Sequence, residues 1–214
     1  MEFEISKDEG TFLVHLARKA VEEYLKNRRH IKVPEDTSKN LLKPCGVFVT
    51  INTFENGEKE LRGCIGYPCP TAPLAEAVVD SAIHAATQDP RFPSLTLREL
   101  DHVVFEVSVL TPPEEVKVKN PKEYIAKIKV GQDGLIIENG FYKGLLLPQV
   151  PVEWKWDEET FLCQCCLKAG LPPDSWLVKG TRVYTFSSVI AEELTPKGDV
   201  TILDMRTRKS RTEK

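Results

Sequence analysis

Apolar residues recur every three to four positions through residues 7–26. Leu13, Leu16, Ala17, Ala20, Val21, Tyr24 and Leu25 share one stripe, and Arg18, Glu22 and Lys26 lie opposite. This spacing predicts an amphipathic helix with His15 on its solvated side. The β-branched and aromatic run Gly46-Val47-Phe48-Val49-Thr50-Ile51 predicts a buried strand. Asn56-Gly57 is a hairpin turn signal, so residues 60–65 return as the partner strand and end at Gly66. Thr71 is the N-cap candidate for a second helix over 72–87, with Pro73 in its first turn. That helix is apolar on two sides: Leu74, Val78, Ala82 and Ala85 form one face, and Val79, Ile83 and Ala86 the other. Such a helix packs between layers or at an interface.

Asp89-Pro90-Arg91-Phe92-Pro93 follows as a stiff loop, because each proline fixes its own φ and restricts the residue before it. Residues 103–110 read as the next strand, and Asn120-Pro121 opens a short helix to about 127. Strands over 134–138 and 142–147 flank a second turn signal, Asn139-Gly140. Asp157 caps a helix that Gly170 terminates, with Phe161, Leu162, Cys165 and Ala169 on one face. Residues 182–190 read as a final strand. Strands outnumber helices and the hairpins pair them in opposite directions. The fold class expected is therefore α+β, a largely antiparallel sheet flanked by helices. No repeat or low-complexity linker divides the 214 residues, so 1–214 reads as a single domain or as two small subdomains sharing an interface, with 206–214 (RTRKSRTEK) as a disordered basic tail.

Composition narrows the function classes. A net charge of −3 gives no field suited to nucleic acid or an anionic membrane. The acidic N-terminus MEFEISKDEG lacks the regions of a signal peptide, and no run reaches the roughly 18 apolar residues of a membrane span. The expectation is a cytoplasmic protein with neither nucleic acid nor membrane as partner. The six cysteines are then reduced thiols. A zinc site from Cys64, Cys69, Cys163 and Cys166 lacks a second C-x2-C pair and a nearby histidine, so neither metal nor cofactor is expected.

The candidate chemistry gathers at Leu61-Arg62-Gly63-Cys64-Ile65-Gly66. Gly63 and Gly66 bracket Cys64, and glycine inside a strand marks a close approach of ligand or backbone. Arg62 and Cys64, two apart on a strand, are expected on one face. A guanidinium there favours the thiolate and can hold a carboxylate or phosphate. A papain-like arrangement needs a histidine, for which His84, one turn after Asp80, is the candidate. Asp89 and Arg91 form a charged pair that either closes the helix or lines the same site. Glu153, between Val152 and Trp154, is a carboxylate that desolvation could raise. The catalytic candidates are thus Cys64, His84 and Glu153, and the ligand-binding candidates Arg62, Gly63, Gly66, Asp89 and Arg91. A buried structural cysteine with a paired arginine is the competing reading.

Five blocks carry a resemblance: Gly46-Val47-Phe48-Val49-Thr50, the hexapeptide at 61–66, Asp89-Pro90-Arg91-Phe92, Gly144-Leu145-Leu146-Leu147-Pro148-Gln149-Val150, and Lys168-Ala169-Gly170-Leu171. In this order, over residues 11–194, the chain resembles the AMMECR family. Ser94 stands where relatives commonly carry a second proline after Phe92-Pro93. The resemblance implies an α+β unit of a larger and a smaller subdomain with the hexapeptide near a cleft between them. It implies no established biochemical activity. It also implies Memo-type and radical SAM proteins as partners in a modification pathway. Two functions follow as expectations: a protein that binds a small molecule or peptide, with catalysis at Cys64, or a non-catalytic interaction module or complex subunit.

Overall fold

The computed structural model describes residues 4–70 and 72–207. The α+β class holds, with two open sheets. The chain divides into two compact units.

The larger unit comprises residues up to Leu110 together with Val189–Leu203. Helix α1 (Lys7–Asn27) opens with a capping box, Ser6 accepting from the Glu9 amide and the Glu9 side chain answering at the Ser6 amide. Strands β1 (Gly46–Glu55) and β2 (Glu58–Tyr67) form the expected hairpin. Asn56 and Gly57 both take positive φ, 53° and 86°, as a two-residue turn matched to the strand twist requires. Helix α2 (Leu74–Thr87) and β3 (Val103–Leu110) follow. The unit is completed by β8 (Ser188–Glu193), whose first residue falls in the other unit, and β9 (Val200–Asp204), whose last residue does. The sheet order is β2-β1-β3-β8-β9, which makes β2 an edge strand.

The core lies between the helices and one face of this sheet. Val47, Val49 and Ile51 of β1, Phe105, Val107 and Val109 of β3, and the inner faces of α1 and α2 are all buried there. The two-sided apolar pattern of α2 is explained by its contacts with α1, β1 and β2. Its start differs from the expected one. The helix begins at Leu74 with Pro73 as N-cap and no side-chain cap; Thr71 lies outside the described residues. The Leu74 and Ala75 amides instead donate to the carbonyls of Lys43 and Leu41, each at 3.0 Å, so a neighbouring loop satisfies the orphan donors.

Arg18, read as solvated, is buried. Its Nε donates to Glu193 Oε1 at 2.7 Å and its Nη2 to Glu193 Oε2, while Nη1 and Nη2 reach the carbonyls of Leu100 and Val103. Glu193 is wholly buried and also accepts from the Phe105 amide at 2.9 Å. These donors replace the hydration that the carboxylate loses on burial.

The smaller unit comprises Thr111–Ser188 and the residues from Asp204 on. It holds β4 (Glu114–Glu115), α3 (Tyr124–Lys127), β5 (Gly134–Asn139), β6 (Tyr142–Leu146), α4 (Val150–Glu153), α5 (Glu158–Lys168) and β7 (Arg182–Phe186). Its antiparallel sheet runs β4-β7-β5-β6. Phe161, Leu162, Cys165 and Cys166 of α5 pack on Leu135, Ile137 and Val183. Burial pushes the Cys165 thiol up to about 12 and the Cys166 thiol up to about 11, which fits their reading as packing residues. The single strand expected over 182–190 is in fact two strands, β7 and β8, in different sheets, and β9 had no counterpart in the sequence reading. Arg206 and Thr207 belong to a 3-10 turn, with Arg206 paired to Asp204; residues 208–214 lie outside the described residues.

Candidate functional site

The hexapeptide lies on β2, and the register with β1 decides where its side chains go. From the turn, Glu55 faces Glu58 and Asn52 faces Leu61, but Ile51 faces Gly63. One extra residue, Arg62, is accommodated by a β-bulge. The bulge breaks the alternation assumed from sequence. Cys64 pairs with Thr50 and Leu61 with Asn52, so Leu61 and Cys64 share a face across the bulge.

Gly63 faces the helices. A Cβ there would sit 2.2 Å from the Ala85 carbonyl oxygen, so only glycine lets α2 lie directly on β2. At Gly66 a Cβ would meet the Val47 carbonyl oxygen at 2.2 Å. Both glycines serve the approach of backbone to backbone.

Cys64 lies on the opposite face of the sheet and is half-buried. Thr50 donates to its Sγ at 3.3 Å, and Thr50 in turn faces Glu106 on β3. Burial pushes the thiol up. The Thr50 hydrogen bond pulls it down, Glu106 adds to the rise, Arg91 opposes it and Asp89 adds again. The thiolate expected from a neighbouring Arg62 is therefore not favoured. Arg62 is engaged elsewhere: Nε donates to Glu99 Oε1 at 2.9 Å and Nη1 to the Pro93 carbonyl at 2.8 Å. Its side chain is 12% exposed. Burial raises the Glu99 carboxyl, but donation from Arg62 and from the Thr96 amide and hydroxyl outweighs this and leaves it below the usual range.

Asp89 and Arg91 close on the same strand. The Cys64 amide donates to Asp89 Oδ2 at 2.9 Å. Arg91 grips the same carboxylate with Nε at 2.9 Å and Nη2 at 2.7 Å, and its own amide donates to Oδ1 at 3.1 Å. Arg91 Nη2 also reaches the Cys64 carbonyl at 3.4 Å. The Arg91 guanidinium, aided by the Cys64 and Arg91 amides, holds the Asp89 carboxyl far below the usual carboxylate range despite its burial. Phe92 lies under two guanidinium groups, 5.9 Å from Arg62 and 5.5 Å from Arg91.

Of the remaining catalytic candidates, one lies in the same unit as Cys64 and one in the other. His84 sits on α2, across the sheet from Cys64, and its Nδ1 lies 3.1 Å from the Tyr67 hydroxyl. Asp80, expected to orient it, is 3.7 Å from His30. Glu153 ends α4 in the smaller unit as an exposed residue, with its carboxyl pushed up by partial desolvation. Of the tryptophans, Trp176 is buried, whereas Trp154 is 68% exposed and stacks on Trp156 at 6.1 Å. No cluster of three or more metal-ligating side chains occurs among the described residues.

Thr50, Glu99 and Glu106 were missed by sequence reading. Counting back from Asn56-Gly57 without the bulge places Thr50 opposite Gly63, and nothing local marks the one-residue shift. The five sequence blocks reduce to two contacts. In the larger unit the first three meet at Thr50, Cys64 and Asp89. In the smaller unit the last two meet where Gly144 lies against the end of α5, a Cβ there falling 2.5 Å from the Ala169 amide nitrogen.

The AMMECR1 family model matches residues 14–191. A protein of Thermococcus gammatolerans is 59% identical over 196 residues, covering 91% of this chain and 95% of its own length. Protein MJ0810 of Methanocaldococcus jannaschii is 54% identical over 196 residues, covering 92% and 96%. The crystal structure of the uncharacterized protein PH0010 from Pyrococcus horikoshii superposes with a TM-score of 0.88 at 53% identity, covering 94% of this chain and 98% of that one. By model and by relatives alike, the chain belongs to the AMMECR1 family.

Proposed function

We propose that this protein is a non-catalytic binding module for a protein or peptide partner, with the hexapeptide and the loop at 89–93 as its rigid scaffold. One observation carries the reading. The polar groups that a catalytic site would direct at a substrate are bonded to one another: Arg62 to Glu99 and the Pro93 carbonyl, Asp89 to Arg91 and the Cys64 amide. A thiol pushed up by burial and a histidine across the sheet from it do not form a nucleophile–base pair. Arg91, with its side chain 54% exposed over Phe92, is the charged feature this scaffold presents to a partner. Arg62, Gly63, Gly66 and Asp89 act in this reading by positioning it.

No helix among the described residues is long and apolar enough to cross a membrane. The Memo-type and radical SAM proteins implied by the family resemblance are the first partners to assay. The test compares Cys64→Ser with Arg62→Ala in a binding assay against these two purified protein classes. Cys64→Ser is expected to bind as the wild type does, while Arg62→Ala unseats the loop at 89–99 and lowers both the unfolding midpoint and the affinity. Loss of binding or turnover in Cys64→Ser, with the fold intact, would falsify the non-catalytic reading.

A further inference from the structure

Tryptophan is highly buried on average, yet Trp154, at the end of α4, is 68% exposed. Its ring stacks on Trp156, with centroids 6.1 Å and planes 19° apart, and Trp156 packs in turn against the core of the smaller unit. Lys155 between them takes φ 56°, the left-handed region that a non-glycine residue seldom enters. The turn is closed by the Lys155 amide on the Val152 carbonyl at 3.3 Å and the Trp156 amide on the Pro151 carbonyl at 2.9 Å. It lets two rings on nearby residues overlap, so that one face of the Trp154 indole is covered and held while the other is open. Glu153, the residue before, is exposed as well. Among the described residues no hydrogen bond or ion pair engages its carboxylate, and partial desolvation alone pushes its carboxyl up. Asp157 caps α5 through the Thr160 amide, with Glu158 and Glu159 in the first turn.

We infer that Trp154 and Glu153 form a docking site for an arginine side chain in a basic segment of a partner protein, the guanidinium lying on the open indole face and its charge meeting the Glu153 carboxylate. The face of an indole attracts a cation, and a guanidinium, being planar, also stacks on it. Charge selects the occupant. Residues 153–159 carry four carboxylates against one lysine, a surface that draws a basic segment and repels the phosphates that accompany a nucleobase. A small free amine is held by aromatic walls on several sides, and Trp154 offers one open face. Asp157, Glu158 and Glu159 also stabilise the start of α5, which leaves Glu153 as the carboxylate for a partner's charge. The inference concerns the smaller unit alone and does not rest on the binding proposed for the scaffold around Arg91.

The test titrates the full chain into a fluorescein-labelled Gly-Arg repeat peptide at low salt, read by anisotropy. The same peptide with citrulline for arginine and a labelled oligouridylate are run alongside. The Trp154 indole N–H signal, one of three in the chain and assigned by its loss in Trp154→Ala, reports contact by NMR. The wild type is expected to bind the arginine peptide saturably with that signal shifting, and the citrulline peptide at least about tenfold more weakly. Trp154→Ala and Glu153→Gln should each weaken binding about fivefold, and Trp154→Tyr less. Glu35→Gln, which removes a carboxylate from an exposed loop of the larger unit, should weaken it by no more than about twofold. No binding by the wild type overturns the inference, as does binding that Trp154→Ala leaves unchanged. So does a loss as large in Glu35→Gln as in Glu153→Gln, or equal binding of the citrulline peptide or the oligonucleotide. Glu153→Gln removes a charge and little else, so it decides the matter if Trp154→Ala disturbs the turn.

Discussion

Asp89 has both carboxylate oxygens engaged, Oδ2 by the Cys64 amide and Arg91, and Oδ1 by the side chain and amide of Arg91. Its carboxyl is depressed in the folded chain and sits near 4 in an unfolded one. A depressed carboxyl adds stability that is fully present above its unfolded value and is lost as pH falls through that value toward the folded one. Chemical denaturation of wild type and Asp89→Asn between pH 6 and 2 should therefore show a wild-type advantage that is flat above about pH 5 and shrinks below about pH 4. An advantage that persists unchanged to pH 2 contradicts the assignment. At this scale the sequence pointed to Arg62, Cys64, Asp89 and Arg91 but not to their contacts. Arg62 and Cys64 are expected together by counting two along a strand, but the register shifts at Arg62 and its guanidinium is engaged by Glu99 and the Pro93 carbonyl. A bulge is a property of the pairing, and no single residue announces it.

Among the elements, those bounded by local chemistry were legible. The turns at Asn56-Gly57 and Asn139-Gly140, the Asp157 cap and the Gly170 terminator fall where sequence placed them, because each demands a particular φ or a nearby side-chain acceptor. Elements fixed by distant partners were not. The start of α2 depends on the carbonyls of Leu41 and Lys43, and the break between β7 and β8 separates two sheets within one β-rich run. Arg18 looks solvated until Glu193, far along the chain, is placed beside it. That pair ties α1 to β8 and, through the Phe105 amide, to β3. Arg18→Ala strands a buried carboxylate and is expected to lower unfolding stability by about 3–5 kcal/mol in denaturant titrations. The double variant Arg18→Met/Glu193→Leu should cost less than Arg18→Ala, since it removes both charges. A double-variant loss equal to the sum of the losses in Arg18→Met and Glu193→Leu would show that the two groups act separately.

For the whole molecule, hairpins and β-rich runs were enough for the α+β class, and the five sequence blocks for the family. The two subdomains came from the resemblance alone, and their boundaries were not legible. The larger unit closes at Leu110, just before Pro112-Pro113, and resumes at Val189, just after Ser187-Ser188, and dipeptides this short do not stand out from ordinary turns. In the proposed reading the hexapeptide is architecture. Gly63 seats α2 on the sheet, Gly66 brings β2 against β1, Arg62 and the Cys64 backbone anchor the loop at 89–99, and the Cys64 thiol stays neutral beside Thr50. The most direct test of that account is the rate of alkylation of Cys64 by iodoacetamide as a function of pH, with exposed Cys69 in the same molecule as the internal standard. The account predicts slower reaction at Cys64 than at Cys69 at neutral pH, and a Cys64 profile whose midpoint lies above that of an ordinary thiol, about 8.5. Faster reaction at Cys64 at neutral pH, with a midpoint below that value, would contradict it and return the hexapeptide to catalysis.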